Sequence, residues 1–190
     1  MPVMIDGIKV QLFSECDTNA PFPVADESPR RAHPKIDMIF PELFFPSNRT
    51  YLALGEAKIR EVVKVHHELV RHSKIGHLYP QDEAAFIAAT SKIEDFFVQM
   101  LGGKDLYTSV QGHPKLRDRH FPFEVTETGR DIWLMSFRKA LKQCAVPKEF
   151  LPEIWNWVES ISIRMINRRT SMEMVKRYPY ESIHSYFDAE

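Results

Sequence analysis

The sequence has few cysteines and no long apolar run, and each shortage excludes a class of protein. Its 190 residues include only 2 cysteines, Cys16 and Cys144. Cysteines so far apart predict neither a disulfide framework nor a structural zinc site, and they leave the cytoplasm as the expected location. No stretch approaches the roughly 18 continuous apolar residues of a membrane span, and the N-terminus lacks a secretory signal pattern. We therefore expect no membrane association.

The sequence also lacks an excess of charge of either sign. Lys and Arg total 25, Asp and Glu total 26, and the formal net charge is -1. No global basic field attracts nucleic acid or an anionic membrane surface, so neither is an expected partner. With 44% hydrophobic residues, the chain is long enough to bury a core without disulfides.

Residues 1–50 differ in pattern from the rest. Ile8–Phe13 alternates as a short strand does, whereas residues 19–34 are rich in proline and charge, which predicts irregular structure. The apolar segment 36–46 is interrupted by proline. We interpret residues 1–50 as a mostly irregular N-terminal extension, residues 51–176 as the main domain and residues 177–190 as a polar and aromatic C-terminal tail.

The main domain has helical periodicity. After Ser47 the apolar residues recur every three or four positions, and His66 lies in the middle of that stripe. A second helix is expected from about Asp82 to the glycine pair at 102–103. Thr126 is the expected N-cap of a third long helix, and a fourth is expected from about residue 148 to 174. These patterns predict an all-α domain of crossed helices or a bundle.

The segment His113–Phe123 contains two prolines and several cations around His120. Because each proline restricts its own φ and that of the residue before it, we predict a rigid loop here. An imidazole held beside Lys115, Arg117 and Arg119 suits a site that binds a metal and anionic groups together, and haem iron with its propionates fits that description.

A haem pocket also needs apolar walls and a cationic rim. Candidates for the rim are Arg117, Arg119, Lys115 and His113. Each aromatic alone is equally well explained by core packing, but together with the His120 segment they favour a cofactor slot. The candidates for its walls are Phe86, Ile93, Phe96, Phe97, Phe123, Trp133 and Phe137.

Over about residues 50 to 170 the chain resembles the truncated globins, most closely their second group. The resemblance is carried by Tyr79-Pro-x-Asp82, by Gly112-His-Pro-x-Leu-Arg-x-Arg-His120-x-Pro-Phe123 and by Arg130-Asp-x-Trp133. It implies a two-over-two helical sandwich that binds haem b, with His120 as the proximal iron ligand. It also implies that Tyr79 and Trp133 face the ligand side of the haem.

The sequence departs from the family on the apolar stripe after Ser47, which matches the family's own second helix, where truncated globins commonly have a distal tyrosine. Ungapped counting places His66 there, and a slip of one residue would place His67 there instead. A neutral imidazole can donate a hydrogen bond to bound oxygen or bind the iron itself. We expect two or three of His66, Tyr79 and Trp133 to stabilise oxygen, and Ala89 and Ile93 to supply only shape.

The resulting hypothesis is a haem protein that binds oxygen and related diatomic gases. Redox or detoxification chemistry on nitric oxide, peroxide or sulfide, with an electron-donating reductase as partner, is compatible with it, and whether the protein is an oxidoreductase or dioxygenase stays open. One alternative is a haem-free helical interaction protein that uses the N-terminal arm. A di-iron or zinc protein that uses the eight histidines is less favoured, because it needs Glu-x-x-His pairs on two helices and the sequence has only the pair Glu181 and His184. The apolar segment from Ile36 to Phe45 is compatible with a monomer or a homodimer.

Overall fold

The computed structural model describes Val3–Ile5, Ile8–Val10 and residues 40–188. Strand β1 (Val3–Ile5) pairs antiparallel with β2 (Ile8–Val10), and Val3 lies opposite Val10. The predicted strand is confirmed over Ile8–Val10, and its last three positions lie outside the described residues. The predicted irregular segment 19–34 and residues 36–39 of the apolar segment also lie outside them.

Four long helices follow, each with the start that its sequence favours. They are α1 (Asn48–Arg71), α2 (Glu83–Met100), α5 (Glu127–Gln143) and α6 (Leu151–Met165). Asp82 caps α2 by accepting from the backbone N–H of Ala85, and Thr126 caps α5 by accepting from that of Gly129. The predicted cap at Thr126 and the predicted helix start near Asp82 are both confirmed. Helix α1 is kinked at Gly55, where φ is +73°, a value that glycine adopts readily.

Short helices occupy the connections and the C-terminal tail. They are the 3-10 turns Gly76–Leu78 and Lys148–Phe150, α3 (Thr108–Gln111), α4 (Leu116–His120), α7 (Tyr180–Ile183) and α8 (Ser185–Asp188). Among the described residues no helix is long and apolar enough to cross a membrane.

The long helices form a two-over-two sandwich. Helix α1 packs on α2, α5 packs on α6, and α1 also crosses α5, which joins the two pairs. The core between them contains Phe137, Trp155 and Trp157, each no more than 1% exposed. The start of α1 is tied to the start of α6, because Glu153 accepts hydrogen bonds from the Ser47 backbone and from Thr50. The predicted all-α fold is confirmed.

Two predictions about helix bounds were wrong. The rigid loop predicted around His120 contains a helical turn, because Lys115 adopts φ +40° after Pro114 and lets α4 begin at Leu116. The last long helix ends at Met165, nine residues before the predicted end at residue 174, and Ile166 is already extended. There, the backbone N–H groups of Asn167 and Arg168 both donate to the Val125 carbonyl rather than continuing the helix.

A buried charge cluster holds the C-terminal tail against α5 and α6. Arg130 on α5 is 2% exposed and donates from Nη2 to Oε1 of Glu159 on α6 over 2.7 Å, and Glu159 is 0% exposed. Glu159 also accepts from Arg177 at 2.8 Å and from the Tyr178 backbone at 3.2 Å. The tail is bound a second time by Trp155, whose Nε1 donates to the Tyr178 carbonyl. Residues 175–188 therefore belong to the same compact unit as residues 40–170.

Candidate functional site

His120 is the last residue of α4, and its ring is oriented by the helix itself. Its Nδ1 lies 2.6 Å from the Leu116 carbonyl oxygen, one helical turn earlier. A carbonyl only accepts, so Nδ1 carries the hydrogen and the Nε2 lone pair is left for a ligand. Burial lowers the pKa of His120, which favours the neutral imidazole that coordinates metals. A backbone bond of this kind is the usual support of a metal-binding histidine.

Two of the predicted rim cations hold this segment together. The Arg117 guanidinium donates to the carbonyls of Arg164 and Ile166 at the end of α6. Arg119 donates from Nε to the Pro114 carbonyl at 2.8 Å and from Nη2 to the Gln111 carbonyl at 3.1 Å. Each of these bonds attaches α4 to its surroundings and so limits the movement of His120.

The other two predicted rim cations, Lys115 and His113, are exposed, and the Lys115 backbone donates to His113 Nδ1. Asn167 also supports the segment, although sequence reasoning did not find it. Its Nδ2 donates to the carbonyls of His120 and Phe123, at 2.8 and 2.9 Å. No sequence pattern identifies such a contact, because 47 residues separate Asn167 from His120.

The predicted distal residues form one aromatic cluster between α1, α5 and the corner before α2. The His66 ring lies edge-on to Trp133, with centroids 4.6 Å apart, and to Phe137, with centroids 5.2 Å apart. The His67 ring lies edge-on to Tyr79 at 5.7 Å and to His66 at 5.1 Å. The structure therefore brings together all four polar side chains proposed for the distal pocket.

Both histidines of the cluster are neutral near neutral pH. Burial lowers the pKa of His66 well below its ordinary value, and the nearby His67 lowers it further. Burial also lowers the pKa of His67, to about 4. Each ring has one backbone partner, at 3.1 Å between His66 Nε2 and the Trp133 oxygen, and at 2.8 Å between His67 Nδ1 and the Val63 oxygen.

Tyr79 and Trp133 form the second polar pair of this cluster. Burial raises the pKa of Tyr79, and a side-chain hydrogen bond with Trp133 opposes part of that rise. An indole N–H only donates, so this interaction does not use the phenol hydrogen, which remains for another acceptor. The pair therefore ends in a single O–H donor carried by Tyr79.

The apolar candidates divide between core, pocket wall and surface. Phe96 and Phe97 pack on Trp157, and Phe97 also contacts Phe137. Phe86 is buried under the Arg71 guanidinium at 4.4 Å. Ala89 and Ile93 are half-buried on α2, whereas Phe123 is 44% exposed and contributes least to any enclosed wall.

The donor set fits a haem iron better than a metal ion held by protein alone. Within the described part of the chain, no group of three or more His, Cys, Asp or Glu side chains is arranged to hold a metal. His120 instead offers one neutral nitrogen. The aromatic cluster adds two buried histidines, His66 and His67, whose rings are neutral. One imidazole ligand together with buried aromatic side chains is the pattern of a haem site.

Comparison with known proteins points in the same direction. The family model for bacterial-like globins matches residues 50–167. The group 2 truncated haemoglobin YjbI of Bacillus subtilis is 31% identical over 122 residues, which cover 64% of this chain and 90% of that protein.

Solved structures with the same fold include phosphate-bound Hell's gate globin IV and the truncated oxygen-avid haemoglobin of Bacillus subtilis. The first has a TM-score of 0.78 and 45% identity, and the match covers 80% of this chain and 94% of that one. The second has a TM-score of 0.59 and 30% identity, covering 62% of this chain and 98% of that one.

Proposed function

The chain belongs to the bacterial-like globin family and is a truncated haemoglobin most like those of the second group, and we propose that it binds haem b through His120. Membership of this family makes it a haem globin with oxygen binding. The bound haem supplies an iron at which a diatomic gas binds. The protein supplies the ligand to that iron, the enclosed pocket and the groups that contact the gas.

The observation that carries this proposal is the hydrogen bond from His120 Nδ1 to the Leu116 carbonyl. It selects the tautomer with a bare Nε2 and holds the ring at the end of α4. The bonds from Arg117, Arg119 and Asn167 then hold the backbone of the segment itself. A nitrogen that is neutral, oriented and held on an ordered segment is what an iron ligand requires.

The hydrogen bonds of the pocket support a revised assignment of the donor to bound oxygen. His66 was expected to donate, but its Nε2–H is directed at the Trp133 carbonyl. The side chain of Trp133 lowers the pKa of Tyr79, and an indole can only donate, so the hydrogen available for an oxygen ligand is that of the Tyr79 hydroxyl. We propose Tyr79 as the donor and Trp133 as the residue that orients and polarises it.

Several finer expectations stay predictions. They are the redox or detoxification chemistry on nitric oxide, peroxide or sulfide, the electron-donating reductase, the cytoplasmic location and the choice between monomer and homodimer. The haem-free alternative, an interaction protein that uses its N-terminal arm, differs from the proposal in one measurable property, the uptake of haem.

The test is the visible absorption spectrum of the protein after addition of haem, in ferric, reduced and carbon-monoxide-bound states. We expect a Soret band that shifts on reduction and again with carbon monoxide. The His120→Ala variant should lose or broaden that band, whereas His113→Ala, which changes an exposed histidine of the same segment, should keep it. A protein that takes up no haem, or an unchanged spectrum in His120→Ala, would contradict the proposal.

A further inference from the structure

The C-terminal ends of α4 and α6 satisfy each other's backbone carbonyl groups. The last carbonyls of a helix have no partner within that helix. At the end of α6 the carbonyls of Arg164 and Ile166 accept from the Arg117 guanidinium of α4, and a positive charge at a helix C-terminus is also favoured by the helix dipole. At the end of α4 the carbonyl of His120 accepts from Nδ2 of Asn167 at 2.8 Å. Each side therefore supplies a donor that the other side lacks.

The side-chain amide of Asn167 uses both its donor and its acceptor groups in this joint. An amide has two N–H hydrogens and one carbonyl oxygen. Nδ2 donates to the carbonyls of His120 and Phe123, at 2.8 and 2.9 Å, and Oδ1 accepts from the Val125 N–H at 3.1 Å. The backbone N–H of Asn167 donates to the Val125 carbonyl at 3.1 Å. A carboxylate of the same shape only accepts, so it would keep the bond to the Val125 N–H and lose the two bonds that Nδ2 donates.

These bonds matter because α4 is too short to fix its own orientation. It has five residues, Leu116–His120, and a helix of that length is not stable in isolation. Pro122 follows it and has no N–H to donate, so the chain after α4 depends on donors from elsewhere. The His120 ring is tied through Nδ1 to the Leu116 carbonyl of the same turn. A rotation of α4 therefore rotates the imidazole with it.

The segment that begins at Asn167 also binds the start of α5. Glu127 is the first residue of α5, and its carboxylate accepts from Arg169 Nε at 2.6 Å and from the Thr170 hydroxyl at 2.8 Å. Residues 167–170 thus hold both ends of the connection between α4 and α5. The position of α4 relative to α5 is therefore set by the chain that leaves α6.

We propose that Asn167 is a positioning residue for the proximal ligand, and that its two donated hydrogen bonds hold α4 in the single orientation in which His120 meets the iron. This inference rests on the proposed function, since it requires that His120 binds haem. Without the two bonds, α4 keeps the attachments made by Arg117 and Arg119, so haem is still bound. The imidazole then adopts more than one angle to the iron, and the bond between them becomes weaker and less uniform.

The first test replaces the amide by a carboxylate, in the variant Asn167→Asp. Resonance Raman spectroscopy of the haem-loaded, reduced protein measures the iron–histidine stretching band. We expect one narrow band in the parent protein and a broadened or split band at lower frequency in the variant, with haem uptake retained. The matched control is Asn156→Asp, at a half-buried asparagine of α6 whose Oδ1 accepts from the Tyr180 N–H at 2.9 Å. A carboxylate keeps that acceptor role, so the control should leave the band unchanged.

A second control separates positioning from a general loss of stability. Thr126→Ala deletes the cap of α5 that accepts from Gly129, beside the same connection but without a bond to α4. It should lower the stability of the fold and leave the band unchanged. An unchanged band in Asn167→Asp, or the same change in Thr126→Ala, would overturn the inference about Asn167 alone. A parent protein without an iron–histidine band would overturn the proposed function as well.

A measurement on the parent protein decides the matter even if Asn167→Asp does not fold. The haem-loaded, reduced and carbon-monoxide-bound protein, labelled with ¹⁵N at asparagine, is transferred to deuterated water and followed by ¹H–¹⁵N spectroscopy. The side-chain amide hydrogens of Asn167 should exchange about tenfold or more slowly than those of Asn156, because hydrogens that are bonded within the protein exchange only after those bonds open. Equal exchange at the two side chains would show that Asn167 does not hold the carbonyls of α4.

Discussion

Replacing Arg130 by methionine is predicted to destabilise the fold strongly, because it removes one side of a buried ion pair. Arg130 donates to Oε1 of Glu159 at 2.7 Å, to Ser162 Oγ at 2.9 Å and to the Lys176 carbonyl at 3.0 Å. Methionine fills much of the same volume but donates none of these bonds. The carboxylate of Glu159, itself 0% exposed, then keeps Arg177 as its remaining cationic partner.

The loss of stability expected for Arg130→Met depends on the hydrogen bonds that Glu159 keeps in the variant. Removal of one partner of a buried pair costs about 3–5 kcal/mol, because the other charge stays buried without compensation. Arg177 still donates to both oxygens of Glu159, so we expect a loss of about 3 kcal/mol, at the lower end of that range. The double variant Arg130→Met with Glu159→Leu should recover part of the loss, since it removes both buried charges.

The assay is urea unfolding of the haem-loaded protein, followed by far-ultraviolet circular dichroism. The control is Lys148→Met, which breaks an ion pair with Asp188 whose two side chains are 67% and 57% exposed, and it should leave the unfolding midpoint unchanged. If Arg130→Met shifts the midpoint no more than this control does, the cluster does not stabilise the fold as argued.

The same cluster should make stability fall in acid. Burial raises the pKa of Glu159, but hydrogen bonds from Arg177 and from the Tyr178 backbone, with the charge of Arg130, lower it more, so that it lies below its ordinary value of 4.5. A carboxyl with a depressed folded pKa contributes stability that is present above its unfolded value and lost as the pH falls through the folded one. The urea concentration at the unfolding midpoint should therefore fall as the pH is lowered below about 4.5. This fall should be less steep in the double variant Arg130→Met with Glu159→Leu.

Three further predictions concern single positions. Tyr79→Phe removes the proposed donor and should raise the oxygen dissociation rate about tenfold or more in stopped-flow measurements; an unchanged rate would remove Tyr79 from the pocket chemistry. Thr126→Ala deletes the cap that accepts from Gly129 and should cost about 1 kcal/mol in urea unfolding. Gly102→Ala should cost about 2 kcal/mol or more, because φ is +98° and a Cβ would lie 2.6 Å from the Cα of Asn48; a neutral effect would contradict this close approach.

Local patterns were the most predictable part of the molecule. The caps at Asp82 and Thr126 and the end of α2 at the glycine pair follow from residue types next to each other in sequence. The two-over-two arrangement was expected from resemblance, because periodicity alone does not say which helices cross. The turn at His120 was missed because it depends on the positive φ of Lys115, which the proline pattern does not reveal.

The contacts that define the chemistry of the site were the least predictable. The sequence places His66 and His67 side by side but does not show that one ring contacts the Trp133 carbonyl, 67 residues away, and the other the Val63 carbonyl. The preferred tautomers, and hence the donor or acceptor role of each histidine, depend on those contacts. The Arg130–Glu159–Arg177 cluster is likewise invisible, since its members lie 29 and 18 residues apart.

The most direct test of the account is whether an external imidazole can replace the side chain of His120. The His120→Gly variant, loaded with haem and reduced, would be examined by resonance Raman spectroscopy for the iron–histidine stretching band, with and without added imidazole. We predict that the parent protein shows the band, that the variant lacks it and that imidazole restores an equivalent band. A variant that keeps the band without imidazole would show that another residue ligates the iron.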